Sequence, residues 1–170
     1  MSYRNKTYVI FDGDNDMWAY GYMKGWKQND KIDFNFYDAH DLRPLTQRAV
    51  GEDYIKQRLR ERMSNAKQVI VLIGEKTKNL FKFVRWELNL AQNMDLPIIA
   101  VNLNNLRQMD SDLCPAILKG ENAMHIAFRL KIIKYALDYF PPYYNSEIDK
   151  SKKTNWYYKD SVYKELGIDD

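Results

Sequence analysis

Short apolar runs alternate along the chain with longer segments in which apolar residues recur at every third or fourth position. Five of the runs are rich in β-branched or aromatic residues, and we predict strands at 7–13, 34–39, 68–74, 97–103 and 123–128. The stretches VIVLI and IIAV contain no polar residue, which is typical of strands covered on both faces. The pattern therefore indicates a parallel sheet with helices on both sides.

Helical periodicity fills the intervals between these runs. In the first helix Trp18, Tyr22 and Trp26 recur at every fourth position, and we expect this aromatic stripe to face the core. The remaining helices are predicted at 51–66, around Glu87, at about 105–120 and at 129–140, where Pro141 and Pro142 should end the last one.

Strands that alternate with helices predict an α/β fold of the doubly wound type. We expect a mainly parallel five-stranded sheet in a three-layer sandwich, with the flavodoxin-like strand order 2-1-3-4-5. The domain should span residues 1–140, and residues 141–170 should form a C-terminal extension with one short helix. Right-handed crossovers place the loops 12–17, 38–48 and 74–79 at the carboxyl ends of the strands, where a ligand is expected.

Composition narrows the class of protein. Apolar residues make up 45% of the 170 residues and charged residues 29%, values that argue against a disordered chain. The formal net charge of +3 is too small to indicate a phosphate-binding surface, so nucleic acid is not favoured as a partner. No apolar run approaches the roughly 18 to 20 residues of a membrane helix, and we expect a cytoplasmic protein with no membrane contact. The lone Cys114 suits a reducing compartment, and we expect structural roles for it and for the two histidines, His40 and His125.

Aspartates gather in the loops after the first two predicted strands: Asp12, Asp14, Asp16, Asp38 and Asp41. Together they could hold Mg²⁺ or accept hydrogen bonds from sugar hydroxyls. For any single member a turn or capping role is favoured, with Asp16 as the cap of the first helix. The run VIFDGDND is also similar to the Asp-x-Asp loop of haloacid-dehalogenase-type phosphatases. A Mg²⁺-dependent phosphatase built on Asp12 and Asp14 is therefore a less favoured alternative.

Glu87 interrupts the apolar face of its helix. At about 100° per residue it lies between Phe83 and Ala91, on the side that should face the protein. A carboxylate there must be paired, hydrogen-bonded or at a cleft, because burial without compensation is costly. The competing interpretation is a partly exposed glutamate near the helix start, where the macrodipole favours negative charge. The pattern alone supports both equally.

The segment VIVLIGEKTKNLFKFVRWEL (69–88) resembles the third strand and following helix of Toll/interleukin-1 receptor (TIR) domains. It is most similar to the bacterial TIR-like proteins of Thoeris antiphage defence. In that family this helix carries the catalytic glutamate of the NAD-consuming members, four residues after a tryptophan. Glu87 and Phe83 stand at these two positions, so the aromatic wall is kept while the indole N–H is lost. The similarity covers about residues 5–140 and includes KTYVIFDGDND, which matches the first strand and its loop.

The resemblance implies an activity and a set of site residues. The protein would be a metal-independent NAD glycohydrolase or cyclase that makes a cyclic ADP-ribose-type signal for a separate effector protein. NAD would be the substrate and no cofactor would be needed, with Glu87 as the catalytic residue. The substrate-binding residues would be Phe11, Asp12, Asp14, Asp38, Phe83 and Trp86. A non-enzymatic interaction module is the alternative, and a homo-oligomer is left open.

Overall fold

The sheet contains five parallel strands whose spatial order follows the chain. The structure is a computed structural model that describes residues 6–36, 51–80 and 82–169. The strands are β1 (Thr7–Ile10), β2 (Gln68–Ile73), β3 (Ile98–Asn102), β4 (Ala123–Ala127) and β5 (Trp156–Tyr157). The predicted α/β fold with a parallel sheet is confirmed.

Helices cover both faces of this sheet. They are α1 (Met17–Gln28), α2 (Glu52–Met63), α3 (Phe83–Asn93), α4 (Leu130–Ser146) and α5 (Asp160–Glu165). Buried side chains of α1, α4 and α5 form one core layer, and those of α2 and α3 belong to the other. Among the helices of the described ranges, none is long and apolar enough to cross a membrane.

Successive side chains of a strand point to opposite faces of the sheet, so each central strand contributes to both core layers. In β2, Ile70 and Leu72 point toward α1 and α4, while Val69, Val71 and Ile73 point toward α3. All of these side chains are fully or almost fully buried. The uninterrupted apolar run therefore reflects burial on both faces, as expected for a central parallel strand.

The strand content differs from the prediction at two places. Residues 34–36, the start of the predicted second strand, are not in a strand, and 37–39 lie outside the described residues. The other four predicted strands are adjacent in the expected order, as β1 to β4. The fifth strand of the sheet comes instead from the C-terminal segment, where Trp156 pairs with Met124 and Tyr157 with His125.

Helix α4 continues through Pro141 and Pro142, so the predicted end at residue 140 is wrong. Each proline removes one backbone donor, but its φ of about −65° is compatible with a helix. The last turn is held by tertiary contacts, since Tyr144 is buried against Phe140 and its hydroxyl donates a 2.7 Å hydrogen bond to Asp95. These contacts offset the lost backbone hydrogen bonds.

The helix predicted at about 105–120 is also wrong. The segment forms turns and one short 3-10 helix, Ala116–Leu118. Side chains take the place of helical backbone partners, because Asn102 donates to the carbonyls of Leu106 and Gln108. The Asp110 carboxylate accepts hydrogen bonds from two backbone N–H groups that follow it. Local side-chain hydrogen bonds of this kind compete with helix formation.

Helix α1 is rotated relative to the prediction. Trp18 and Tyr22 are 51% and 60% exposed, whereas Ala19, Tyr20 and Met23 form the buried face. Trp26, the third member of the stripe, is partly buried and packs against the core, so the expectation that the stripe forms core is wrong for Trp18 and Tyr22. Helix α1 carries two apolar stripes. The stripe that contains the small residue Ala19 packs against the sheet.

Cys114 and His125 are buried in the protein interior. Burial raises the pKa of the Cys114 thiol to about 11. Burial also lowers the pKa of the His125 imidazole to about 4, opposed by the nearby Asn155 side chain. Both groups are therefore neutral near pH 7, as structural residues are. His40 lies outside the described residues.

Candidate functional site

Glu87 lies one turn into α3 and points into the layer between this helix and the sheet. Its side chain is 4% exposed, and its neighbours on the buried face of α3 are Val84, Leu88 and Ala91. The Tyr8 hydroxyl of β1 faces the carboxylate, and Arg62 near the end of α2 contributes positive charge. The structure therefore favours the buried interpretation of Glu87 over a solvated residue at the helix start.

The ionisation of Glu87 follows from this position. Burial raises its pKa to about 8, opposed by the Tyr8 hydroxyl and by the charge of Arg62. Within the described part of the chain, Oε2 of Glu87 has no hydrogen-bond partner. A buried carboxyl with an unpaired oxygen costs free energy, and such groups are found at functional sites more often than elsewhere.

Phe83 lies one turn before Glu87 on the same side of α3, whereas Trp86 directly precedes Glu87 and lies on another side of the helix. Their rings are in edge contact, with centroids 5.8 Å apart. Trp86 faces α2, where the Lys56 ammonium lies 4.8 Å from its ring centroid. Phe83, which is half-buried, is the better placed of the two to border the Glu87 carboxylate.

The residues after β1 occupy three different environments. Phe11 is core, 5% exposed and stacked on Tyr20 with ring centroids 4.4 Å apart. Asp12 is buried and organises the loop: its Oδ1 accepts the backbone N–H of Asp14 at 3.0 Å, and its Oδ2 accepts the Asn15 amide at 2.6 Å. Asp14 is exposed. Asp38 and Asp41 lie outside the described residues.

This arrangement bears on the metal and phosphatase interpretations. Residues 6–36, 51–80 and 82–169 contain no group of three or more His, Cys, Asp or Glu side chains placed to hold a metal ion. Asp12 would be the phosphatase nucleophile, yet it is 1% exposed and both of its oxygens are occupied by loop donors. The geometry gives that chemistry no support.

A crevice of about 400 Å³ opens at the carboxyl ends of β1, β2 and β3. Helix α1 leaves β1 toward one face of the sheet and α3 follows β2 on the other, so the crevice lies at a topological switch point. Open α/β sheets bind their ligands at such points. The walls include Asp16 and Trp18 from the start of α1 and Gly74 from the end of β2. Glu87 is not among the lining residues.

Asp16 is the residue whose role the sequence does not reveal. It precedes α1 but forms no side-chain cap, so the predicted capping hydrogen bond is absent. Its carboxylate turns toward Gly74 instead, where Thr77 Oγ1 donates to Oδ2 at 3.3 Å. Burial raises the pKa of Asp16, and the nearby Asp12 raises it further, while Thr77 opposes both. Only the folded position of the β2 loop could identify this orientation.

The chain has a clear relative among known families. The sequence model of the family described as "Thoeris protein ThsB, TIR-like domain" matches residues 8–108. This range runs from β1 through β3 and includes Glu87 and the wall residues of the switch-point crevice other than Leu113. It covers more than half of the 170 residues. The protein belongs to the family of TIR-like domains of Thoeris protein ThsB.

Proposed function

We propose that the protein cleaves the bond between nicotinamide and ribose in NAD, with Glu87 as the catalytic residue, and that its product is a signal in antiphage defence. Family membership supports the role in Thoeris defence. The observation that carries the enzymatic part is the Glu87 carboxyl itself, which is buried, has an oxygen without a partner in the described part of the chain and has a pKa raised to about 8.

The reaction needs little from the protein. When the C1′–N bond breaks, its electron pair leaves with nicotinamide, which is neutral once released because the ring was a pyridinium. The ribose becomes oxocarbenium-like in the transition state, as in glycoside cleavage. An ionised carboxylate beside the sugar stabilises this positive charge and accepts hydrogen bonds from its hydroxyls. No metal ion is required to activate such a leaving group.

Two products are open to the ribosyl group. Attack by water, with loss of a proton, gives ADP-ribose. Attack by a nucleophilic atom of the same ligand closes a ring and gives a cyclic ADP-ribose isomer. The second outcome is the one we propose, because a cyclic molecule is distinct from ordinary breakdown products and can be recognised by a separate effector protein.

Tyr8 and Arg62 would favour the ionised form of Glu87, which the reaction needs. Burial alone favours the neutral acid, which cannot stabilise a cation. The Tyr8 hydroxyl and the Arg62 charge both favour the carboxylate and so lower its pKa from a still higher value. They are positioning residues in this mechanism, since they act on the ionisation of Glu87 and not on the substrate.

The test compares the native protein with Glu87→Gln in bacteria, with and without phage infection. NAD and its products are separated and identified by mass. We expect nicotinamide and a cyclic product only from the native protein, and native behaviour from Glu165→Gln, which changes an exposed glutamate on α5. Equal product formation by the native protein and Glu87→Gln would remove Glu87 from the mechanism.

A non-enzymatic interaction module is the second candidate. It is favoured by one observation, namely that Glu87 does not line the switch-point crevice. This candidate predicts that Glu87→Gln retains full phage resistance and that infected cells show no NAD-derived product. Loss of resistance in Glu87→Gln, with the protein still folded and at native abundance, would contradict it.

A further inference from the structure

A second cavity, of about 500 Å³, lies where the C-terminal segment meets the sheet. Residues 105–108 after β3, the ends of β4 and β5, and residues 168–169 line it, and we call it the edge cavity. In the described part of the chain it shares no lining residue with the switch-point crevice. Most of its lining follows residue 108, beyond the range that the family model matches. Its volume is within the range of small-molecule sites.

Arg107 is held in a fixed orientation on the wall of the edge cavity. Its guanidinium lies 4.3 Å from the centre of the Tyr163 ring, and this contact orients the planar group. Nη1 donates to Oδ1 of Asp160 at 3.2 Å, and Nη2 lies 3.5 Å from the carbonyl oxygen of Asp169. The Asp160 side chain is 86% exposed, and an ion pair with such a residue is weak. An anion in the cavity can therefore share Arg107 with Asp160 or replace it.

Arg129 supplies a second guanidinium to the same cavity. It is exposed, directly precedes α4 and forms no ion pair with another residue of the described ranges. The first turn of α4 carries no acidic residue that could neutralise it. Lys131 adds a third positive charge at the rim, because its Nζ lies 3.4 Å from the position of a Cβ at Gly167, next to the lining residues 168–169.

The edge cavity also offers hydrogen-bond acceptors and an open aromatic ring. Its two carboxylates are outnumbered by the cations of Arg107, Arg129 and Lys131, so the local charge is positive. Asp169 is exposed, and carboxylates accept hydrogen bonds from sugar hydroxyls. Tyr157 is 59% exposed and lines the cavity, so its ring can stack on a flat group of a ligand.

We propose that the edge cavity binds a phosphate ester of a sugar, with the phosphate between Arg107 and Arg129 and the sugar hydroxyls beside Asp169. Planar guanidinium groups bind phosphate oxygens through paired hydrogen bonds, which makes two of them well suited to this group. A bare anion would leave the carboxylate and the aromatic ring without contacts. The ester can come from a free sugar phosphate or from a nucleotide, whose base would reach the Tyr157 ring. Binding here does not depend on the proposed cleavage of NAD.

Calorimetry with ribose 5-phosphate, AMP, ribose and inorganic phosphate tests this proposal. We expect ribose 5-phosphate to bind at least ~10-fold more tightly than ribose or inorganic phosphate, because only the ester contacts the guanidinium groups and the acceptors together. The Nε–H signals of Arg107 and Arg129 in NMR spectra should shift with both esters. Tighter binding of AMP would identify a nucleotide as the natural source, and tighter binding of ribose 5-phosphate a free sugar phosphate. None of these probes contains nicotinamide, so the result is separate from that for NAD cleavage.

Variants locate the bound ester. Arg129→Gln changes an exposed side chain and should weaken ribose 5-phosphate by roughly 10-fold or more, because charge-assisted hydrogen bonds are lost. Tyr157→Thr should weaken AMP by roughly 5-fold or more and ribose 5-phosphate less, because it removes the stacking surface for the base. The control Arg60→Gln, an exposed arginine on α2 outside the cavity, should bind both esters as the native protein does.

Three outcomes would overturn the proposal. The first is binding of inorganic phosphate as tightly as ribose 5-phosphate, because the cavity would then be a general anion site. The second is native affinity of Arg129→Gln for both esters, or unshifted arginine signals, which would place the esters elsewhere on the protein. The third is the absence of binding by either ester at millimolar concentration.

Discussion

The hydroxyl of Tyr8 on β1 faces the carboxylate of Glu87 on α3, and both side chains are almost completely buried. The two groups depend on each other. The hydroxyl lowers the pKa of Glu87, and the charge of Glu87 raises the pKa of Tyr8, in addition to the larger effect of burial. An acid with a pKa near 8 is poised between its two forms at ordinary pH, so its environment decides how much carboxylate is present.

The first prediction concerns the pH dependence of NAD cleavage. With the Glu87 pKa at about 8, activity should rise with pH and level off above pH 8. Only about a tenth of the groups would be ionised one unit below the pKa, so kcat/KM should change about tenfold per pH unit there. Product formation measured from pH 6 to 9.5 gives the profile.

Tyr8→Phe should displace this profile to higher pH and leave its plateau unchanged. The variant removes the hydroxyl that favours the carboxylate, so the pKa of Glu87 rises. Activity at pH 7 should then fall while activity at pH 9.5 is retained. A uniform loss at every pH would mean that Tyr8 acts on the substrate or the fold and not through ionisation.

The second prediction is that Glu87 makes the fold less stable as pH rises. Its folded pKa of about 8 exceeds the ordinary glutamate value of 4.5, so between these pH values the folded protein holds a proton that the unfolded chain has released. The free energy of unfolding should therefore be highest below pH 4.5 as far as this group is concerned and decline up to pH 8. The total change is on the order of 5 kcal/mol.

Urea denaturation of the native protein and of Glu87→Gln at pH 5, 6, 7 and 8 measures this effect. The free-energy difference between the two proteins isolates Glu87, because other titrating groups such as Asp16 occur in both. The glutamine variant should gain stability relative to the native protein as pH rises. A difference that does not vary with pH would contradict burial of an ionisable Glu87.

Local sequence patterns predict much of the fold. The strands β2 and β3 follow from apolar runs, because burial on both faces requires apolar residues at successive positions. Strand β5 could not be predicted, since Trp156 and Tyr157 are partly exposed and pair with β4 only after α4 has returned the chain to the sheet edge. The continuation of α4 through its prolines depends on Tyr144 reaching Asp95, a contact between distant parts of the sequence.

In the site, too, some features follow from local sequence and others from contacts between distant parts of the chain. The helical wheel indicates that Glu87 faces inward, but its neighbours Tyr8 and Arg62 come from other elements and are visible only in the fold. Asp16 shows the limit most clearly. Sequence position predicts a helix cap, whereas the structure seats its carboxylate over Gly74, a backbone position that no local pattern connects to it.

The third prediction tests the contact between the Asp16 carboxylate and Gly74. Gly74→Ala places a Cβ where the Asp16 carboxylate lies, so Asp16 must move and its hydrogen bond from Thr77 should be lost. We expect a loss of roughly 1 to 3 kcal/mol in the free energy of unfolding, as for other overpacked sites. Gly25→Ala is the matched control, since the space around Gly25 in α1 is open. It should stabilise the helix by about 0.5 to 1 kcal/mol. Similar effects of the two changes would contradict the contact.

The fourth prediction concerns the C-terminal segment, which the sequence places outside the main domain. Tyr163 of α5 is completely buried, and its hydroxyl oxygen accepts the backbone N–H of Ala127 at 3.2 Å. The Arg107 guanidinium lies 4.3 Å from the centre of the same ring.

Tyr163→Phe leaves the buried N–H without its partner and should cost about 1 to 3 kcal/mol of unfolding free energy. Tyr157→Phe changes a tyrosine that is 59% exposed and should have an effect within about 0.5 kcal/mol. If both variants had the same urea midpoint as the native protein, the C-terminal segment would pair with the sheet without stabilising it. A loss of unfolding free energy in Tyr163→Phe alone would show that α5 is part of the cooperative fold.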